Sequence, residues 1–157
     1  MTLHARPTIS ADVPALARIF NAIVRTGGTT AHEDEWDDVT FKSYYIDDPV
    51  MVHTVLDGDT PLGFQAVFES GEGLSIGSFT DQDNPVKGAG AVMFAATRDW
   101  AAGQGYPWID AKIRADNVPG LAYYSKMGFA DFTIDKGVPL KDGTPMDRIT
   151  KRLWLVS

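Results

Sequence analysis

Apolar residues recur at helical spacing near the start of the chain, with Val13, Leu16, Ile19, Phe20 and Ile23 forming one stripe. This predicts a helix with Ser10 as its N-cap, Asp12 in the first turn and Pro14 early enough to be tolerated. The helix should end at Thr26 to Gly28, where glycine can take the left-handed cap conformation. The preceding "TLHAR" reads as a strand. "TTAHEDEWDD" reads as a polar loop, and "VTFKSYYIDD" as a short second helix closed by Pro49. "MVHTVL" and "LGFQAVF" are rich in β-branched and aromatic residues, and "DGDTP" between them is turn chemistry, so the pair predicts a hairpin. The turn "SGEG" then leads to the strand "LSIGSFT", completing an antiparallel meander.

The pattern changes after Thr80. Val92, Met93, Ala96 and Trp100 share a helical face that ends at "GQG". "PWIDAKI" follows as a strand. Asn117 opens another helix, "VPGLAYYSKM", stopped by Gly128. "FADFTID" and "MDRITKRLWLV" are the last strands, separated by the turn-like "KGVPLKDGTP". The expected order is strand, helix, helix, three strands, helix, strand, helix, two strands. That is an α/β (α+β layered) domain with a mixed sheet. No repeat, low-complexity tract or linker divides residues 1–157, so a single domain is expected.

Composition narrows the functional classes. No apolar run approaches the ~20 residues that span a bilayer, and "MTLHARPTIS" has no signal-like apolar core, so a cytoplasmic protein is expected. The absence of cysteine excludes a thiol nucleophile and a thiolate metal site. The formal charge of −7 argues against general nucleic-acid binding. It suits an amine-bearing substrate, or simply solubility. The three histidines, His4, His32 and His53, lack metal-ligand spacing and read as packing or surface residues, so no metal site is expected. Tyr44, Tyr45, Trp100, Trp108 and Trp154 fall on periodic faces and read as core or interface.

Gly88-Ala89-Gly90 sits between a strand ending at Thr80 and the start of a helix. Free backbone N–H groups and the helix dipole would favour a phosphate there, and glycine would let the backbone approach it closely. A plain structural turn explains the same glycines. The segment is neither a Walker loop nor a dinucleotide fingerprint.

Taken with "NVPGLAYYSKMGF" some thirty residues later, the glycine loop resembles the GNAT superfamily of N-acetyltransferases. "YSKMGF" is similar to that family's Tyr-Glu-Lys-Leu-Gly-Phe signature, Asn117 sits at the usual offset before Tyr124, and "ARPTISADVPALARIFN" resembles the family's first strand and helix. "IFNAIVRTGGTTAHEDE" faintly resembles the branch acetylating phosphinothricin-like amino acid analogues. The resemblance implies a mostly antiparallel sheet of about seven strands flanked by about four helices. It implies acetyl-CoA as co-substrate and a small-molecule primary amine as acceptor. Phe79 and Thr80 would offer strand backbone to the pantetheine arm. Val86, Lys87, Gly88, Ala89, Gly90 and Ala91 would ring the pyrophosphate. Asn117 would reach the cofactor, and Lys126 would lie near its phosphates. Tyr124 matches the tyrosine that protonates the departing thiolate, a role that suits a phenol within reach of the sulfur. His32, Glu33, Glu35 and Trp36, in the acidic loop after the first helix, would shape the acceptor side. Relatives are often homodimers.

Two departures stand out. Pro85 replaces the basic or amide residue that usually opens the loop, and Val86 stands where glycine is common. No general base is readable: Glu33, Glu35, Glu69, Glu72 and Asp81 are all near plausible acceptor positions, and "LSIGSFT" carries no carboxylate where some relatives carry a glutamate. A protein of this fold that binds an acyl-CoA without transferring the acyl group is the rival reading. A generic nucleotide-phosphate binder is a more distant one.

Overall fold

The computed structural model describes residues 2–155. Seven strands form one sheet: β1 (Leu3–Pro7), β2 (Met51–Asp57), β3 (Thr60–Ser70), β4 (Gly73–Thr80), β5 (Trp108–Arg114), β6 (Ala130–Pro139) and β7 (Pro145–Trp154). Their spatial order is β1-β2-β3-β4-β5-β7-β6. Every neighbouring pair is antiparallel except β4 with β5, as the seven-strand mixed expectation requires.

Four α-helices cover the two faces: α1 (Val13–Thr26), α2 (Asp38–Lys42), α3 (Ala89–Gly103) and α4 (Val118–Lys126). The apolar stripe of α1 packs on β3 and β4, with Leu16 and Phe20 fully buried. Phe20 lies within 5.5 Å, centroid to centroid, of Trp36, Phe41, Tyr45 and Phe79, in the core of that face. α3 lies over β1, β2 and β3 on the opposite face, and α4 packs against β5. Strand alternation divides β4 accordingly. Phe79 joins the α1 core, while Leu74 and Ile76 join the core beneath α3 and α4. Among the described residues, no helix is long and apolar enough to cross a membrane.

Some boundaries differ from the sequence reading. Ser10 opens a 3₁₀ turn (Ser10–Asp12) instead of capping α1. Asp12 holds the N-cap position of α1 without capping it through its side chain; its buried carboxylate accepts instead from the Ile9 amide, from both terminal nitrogens of Arg6 and from the Thr54 hydroxyl. α2 runs on into a wider helical turn over Ser43–Asp47 that buries Tyr45. β6 and β7 extend into the segment read as a long turn, leaving only residues 140–144 between them.

Candidate active site

The parallel contact of β4 with β5 is short: only Leu74 with Ile109 and Ser75 with Asp110 are in register. Beyond them the strands diverge, so the β5-facing backbone edge of residues 76–80 has no strand partner. Unpaired strand backbone is a template for an extended ligand. A cleft of about 750 Å³ opens along this edge. Its walls are Ser78 to Thr80 on β4, the loop from Asp81 to Lys87, Ala89 and Gly90 at the start of α3, and Asn117, Pro119, Gly120 and Tyr123 on α4.

The two glycines of the loop have different physical reasons. Gly88 is the N-cap of α3 with φ of +92°, a left-handed conformation that other residues rarely adopt. No side chain caps α3; the Ala89 amide donates to the Val86 carbonyl, which leaves the Gly90 and Ala91 amides of the first turn for a ligand. Gly90 is needed for space: a Cβ there would lie 2.7 Å from Cε1 of Tyr123. The Tyr123 hydroxyl donates to the Gly90 carbonyl at 2.8 Å, fixing α4 against the start of α3.

Beneath the cleft runs a chain of polar side chains. Gln65, fully buried on β3, donates through Nε2 to the Ser78 hydroxyl at 2.8 Å and to the Tyr123 hydroxyl at 3.2 Å. Ser78 Oγ is in turn 2.7 Å from the Tyr124 hydroxyl. Burial pushes the Tyr124 phenol far above its ordinary range, against the smaller opposing effect of the Ser78 hydrogen bond, so it stays protonated near neutrality. Burial likewise pushes Tyr123 up to about 12, while the hydrogen bond from Gln65 acts the other way. Tyr124 is therefore protonated; it does not itself line the cleft, but its one hydrogen-bond partner, Ser78, does.

Phe79, Thr80, Val86, Lys87, Ala89, Gly90 and Asn117 all line this cleft. Gly88 turns the chain into α3 beside them. Asn117 also serves the fold: its Oδ1 accepts from the Gly120 amide to cap α4, and its Nδ2 donates to the Thr29 carbonyl. Ala91 is exposed on the first turn of α3, and Lys126 is exposed at the opposite end of α4 from Asn117. Neither lines the cleft.

The acidic-loop residues gather on the other face of the sheet. His32 packs edge-on against Phe20, Trp36, Tyr44 and Tyr45, and its Nε2 lies 2.5 Å from the Tyr45 hydroxyl. Burial, aided by the Arg148 guanidinium, pulls the His32 imidazole below its ordinary value. Trp36 is held through its backbone by the Asn21 side chain. Glu33 and Glu35 are turned elsewhere: Glu33 accepts from the Lys141 amide, and Glu35 pairs with Arg25 at 2.7 Å. Asp34 pairs with the Lys141 ammonium, so the loop is tied to the β6–β7 turn.

Ser78, Gln65, Tyr123 and Tyr45 were not singled out by the sequence. One signal was available for Gln65, the one polar residue inside the apolar run "LGFQAVF". Ser78 and the two tyrosines carry no such mark, because only the fold brings them together.

Comparison with solved structures settles the architecture. An N-acetyltransferase from Staphylococcus aureus Mu50 superposes with a TM-score of 0.86 over 99% of this chain and 100% of that one, at 16% identity. The chain has the GNAT fold. A GNAT superfamily phosphinothricin acetyltransferase from Sinorhizobium meliloti, solved with acetyl-CoA, superposes with a TM-score of 0.83 over 98% of this chain and 89% of that one, also at 16% identity. By sequence, a mycothiol acetyltransferase from Clavibacter michiganensis is 32% identical over 121 residues, 76% of this chain. The match covers 38% of the length of that curated relative. No family model matches the chain. In this GNAT fold the divergent β4 and β5, the start of α3 and the N-terminus of α4 frame the cleft described above.

Proposed function

We propose that this protein is an acetyl-CoA-dependent N-acetyltransferase that acts on the primary amine of a small molecule by direct attack. The observation that carries this reading is the convergence, at one cleft, of an unpaired strand edge, an uncapped helix start and Ser78, behind which lies a buried, protonated tyrosine. The residues present fit the co-substrate. The edge at Phe79 and Thr80 offers main-chain partners to the amide-bearing pantetheine arm. The Gly90 and Ala91 amides in the first turn of α3, with Lys87 beside them, offer a seat for the pyrophosphate.

Tyr124 is the general acid for the departing thiolate in this reading. Gln65 occupies an acceptor position on Ser78, leaving the Ser78 proton free to point at the Tyr124 oxygen. Tyr124 then has its own proton to give. The structural and sequence relatives support the reaction class; the acceptor, a cytoplasmic location and a homodimer are proposals that follow from the resemblance.

The test is calorimetric titration with acetyl-CoA and CoA, followed by an amine panel assayed for free thiol. Saturable binding with thiol release for at least one amine is expected. Binding without release across a broad panel would favour the acyl-CoA-binding alternative. That alternative draws on Pro85, which lines the cleft with neither a donor side chain nor an N–H.

A further inference from the structure

The proposed reaction, on which this inference rests, still needs a group to take a proton from the incoming ammonium. β4 carries no carboxylate, and Glu33 and Glu35 are engaged elsewhere. The structure does hold a second buried tyrosine beside the strand gap. Tyr45 belongs to the α1 face, and Tyr124 to the α3 and α4 face. They approach adjacent residues of β4. Tyr124 meets Ser78, whose side chain points to one face. Tyr45 meets Gly77, which points to the other: a Cβ built on Gly77 would lie 3.8 Å from the Tyr45 hydroxyl and 3.6 Å from its Cε1. Because residue 77 is a half-buried glycine, the space a side chain would fill is bordered instead by the Phe79 ring, with Cε2 at 3.5 Å, and by the Tyr45 hydroxyl. Behind Tyr45 stands His32, with Nε2 at 2.5 Å.

We infer that Tyr45 and His32 form the proton-accepting side of the active site, facing Tyr124 across the gap between β4 and β5. An acceptor entering over Gly77 meets the Tyr45 oxygen. The ammonium gives one proton to that oxygen while Tyr45 passes its own to His32 Nε2, so the phenol is never ionised. The freed nitrogen lone pair forms the bond to the acetyl carbon and the carbon–sulfur bond breaks. The sulfur takes the Tyr124 proton, and Tyr124 is restored by the second nitrogen proton. One proton leaves from His32 to solvent, which balances the conversion of ammonium and thioester into amide and thiol.

The surroundings of His32 suit a group that accepts a proton and quickly releases it. The charged group facing it is Arg148 on β7, whose guanidinium disfavours a lasting imidazolium. Tyr44 and Tyr45 face it from the helical turn, and Phe20 and Trp36 are uncharged. Glu33, next in sequence, is turned to Lys141, and Arg114 on β5 reaches only the Thr30 carbonyl while pairing with Asp116.

The test uses the full chain, acetyl-CoA and two small acceptors at high concentration, with every rate taken above the enzyme-free rate because hydroxylamine cleaves thioesters directly: methylamine, protonated near neutrality, and hydroxylamine, mostly unprotonated there. Tyr45→Phe keeps the ring packing, and His32→Gln keeps a polar group of similar size. Both should lower kcat/KM for methylamine by about 10²-fold or more. Both should leave hydroxylamine within a few-fold and the KM for acetyl-CoA unchanged. The double variant should lose no more than either single one, because the two residues act as a unit. The acidic limb of the wild-type pH profile with methylamine should disappear in His32→Gln. Equal losses for both acceptors, or no loss for methylamine, would overturn the assignment while leaving the transfer reading intact. No thiol release by the wild type with either acceptor would overturn both.

Discussion

Removing a single oxygen atom, in Tyr124→Phe, separates the catalytic from the structural role of the buried phenol. The hydroxyl's one hydrogen bond is to Ser78 at 2.7 Å, and Ser78 keeps its bond from Gln65 after the change. The structural cost is therefore one net hydrogen bond, about 1 kcal/mol. Against a domain stability of roughly 5–15 kcal/mol this leaves the variant folded. In a chain of this size it lowers Tm by about 2–4 °C. The loss of a positioned general acid costs far more, about 10²–10⁴-fold in kcat. That corresponds to about 3–5 kcal/mol of transition-state stabilisation. Steady-state thiol release with an active amine gives kcat and KM, and calorimetry with CoA gives affinity. kcat should fall while CoA affinity stays within two-fold. A kcat within a few-fold of wild type, or a parallel loss of kcat and CoA affinity, would refute the assignment of Tyr124 as the acid.

Gly90→Leu should weaken CoA binding at least ten-fold, because even its Cβ collides with the Tyr123 ring that holds α4 against α3; titration with CoA measures this. Lys87→Ala should weaken CoA by a few-fold, with a difference from wild type that shrinks in high salt, as expected for an exposed cation near a phosphate. Asp12→Asn should cost about 2 kcal/mol in denaturant unfolding, since it removes the charge from bonds to Arg6, Ile9 and Thr54. Burial lowers the imidazole pKa of both His53 and His32 in the folded state, so the unfolded chain binds more protons below the ordinary histidine value. Stability should therefore fall as pH drops through about 6.5, and His53→Gln should flatten that slope.

The order of strands and helices was legible because each segment buries one face, so period and turn chemistry record it. The α1 stripe and the "MVHTVL"/"LGFQAVF" hairpin are the clearest cases. The start of α1 was misread because Asp12 is recruited by Arg6 and Thr54, partners that lie six and forty-two residues away. That the residues proposed for the cofactor gather in one cleft was legible because they are mostly consecutive backbone and helix-start residues. The surroundings of the proposed acceptor residues were less legible, because they depend on which side chains meet across the sheet. His32 was a candidate from its loop, but its contact with Tyr45 depends on the helical turn that buries that ring. Glu33 and Glu35 looked equally eligible until Lys141 and Arg25 were placed beside them.

The two-rung joint between β4 and β5 has a mechanical consequence. β1 to β4 and β5 to β7 are nearly separate ribbons, each strongly laddered within itself and sewn to the other only at Leu74, Ser75, Ile109 and Asp110. An extended ligand along residues 76–80 would supply the missing rungs and act as an eighth strand for as long as it is bound. The amides facing the gap should then exchange with solvent in the free protein and slow when the cleft is filled. The weakest seam of the sheet would thus be the place where chemistry and cohesion are gained together.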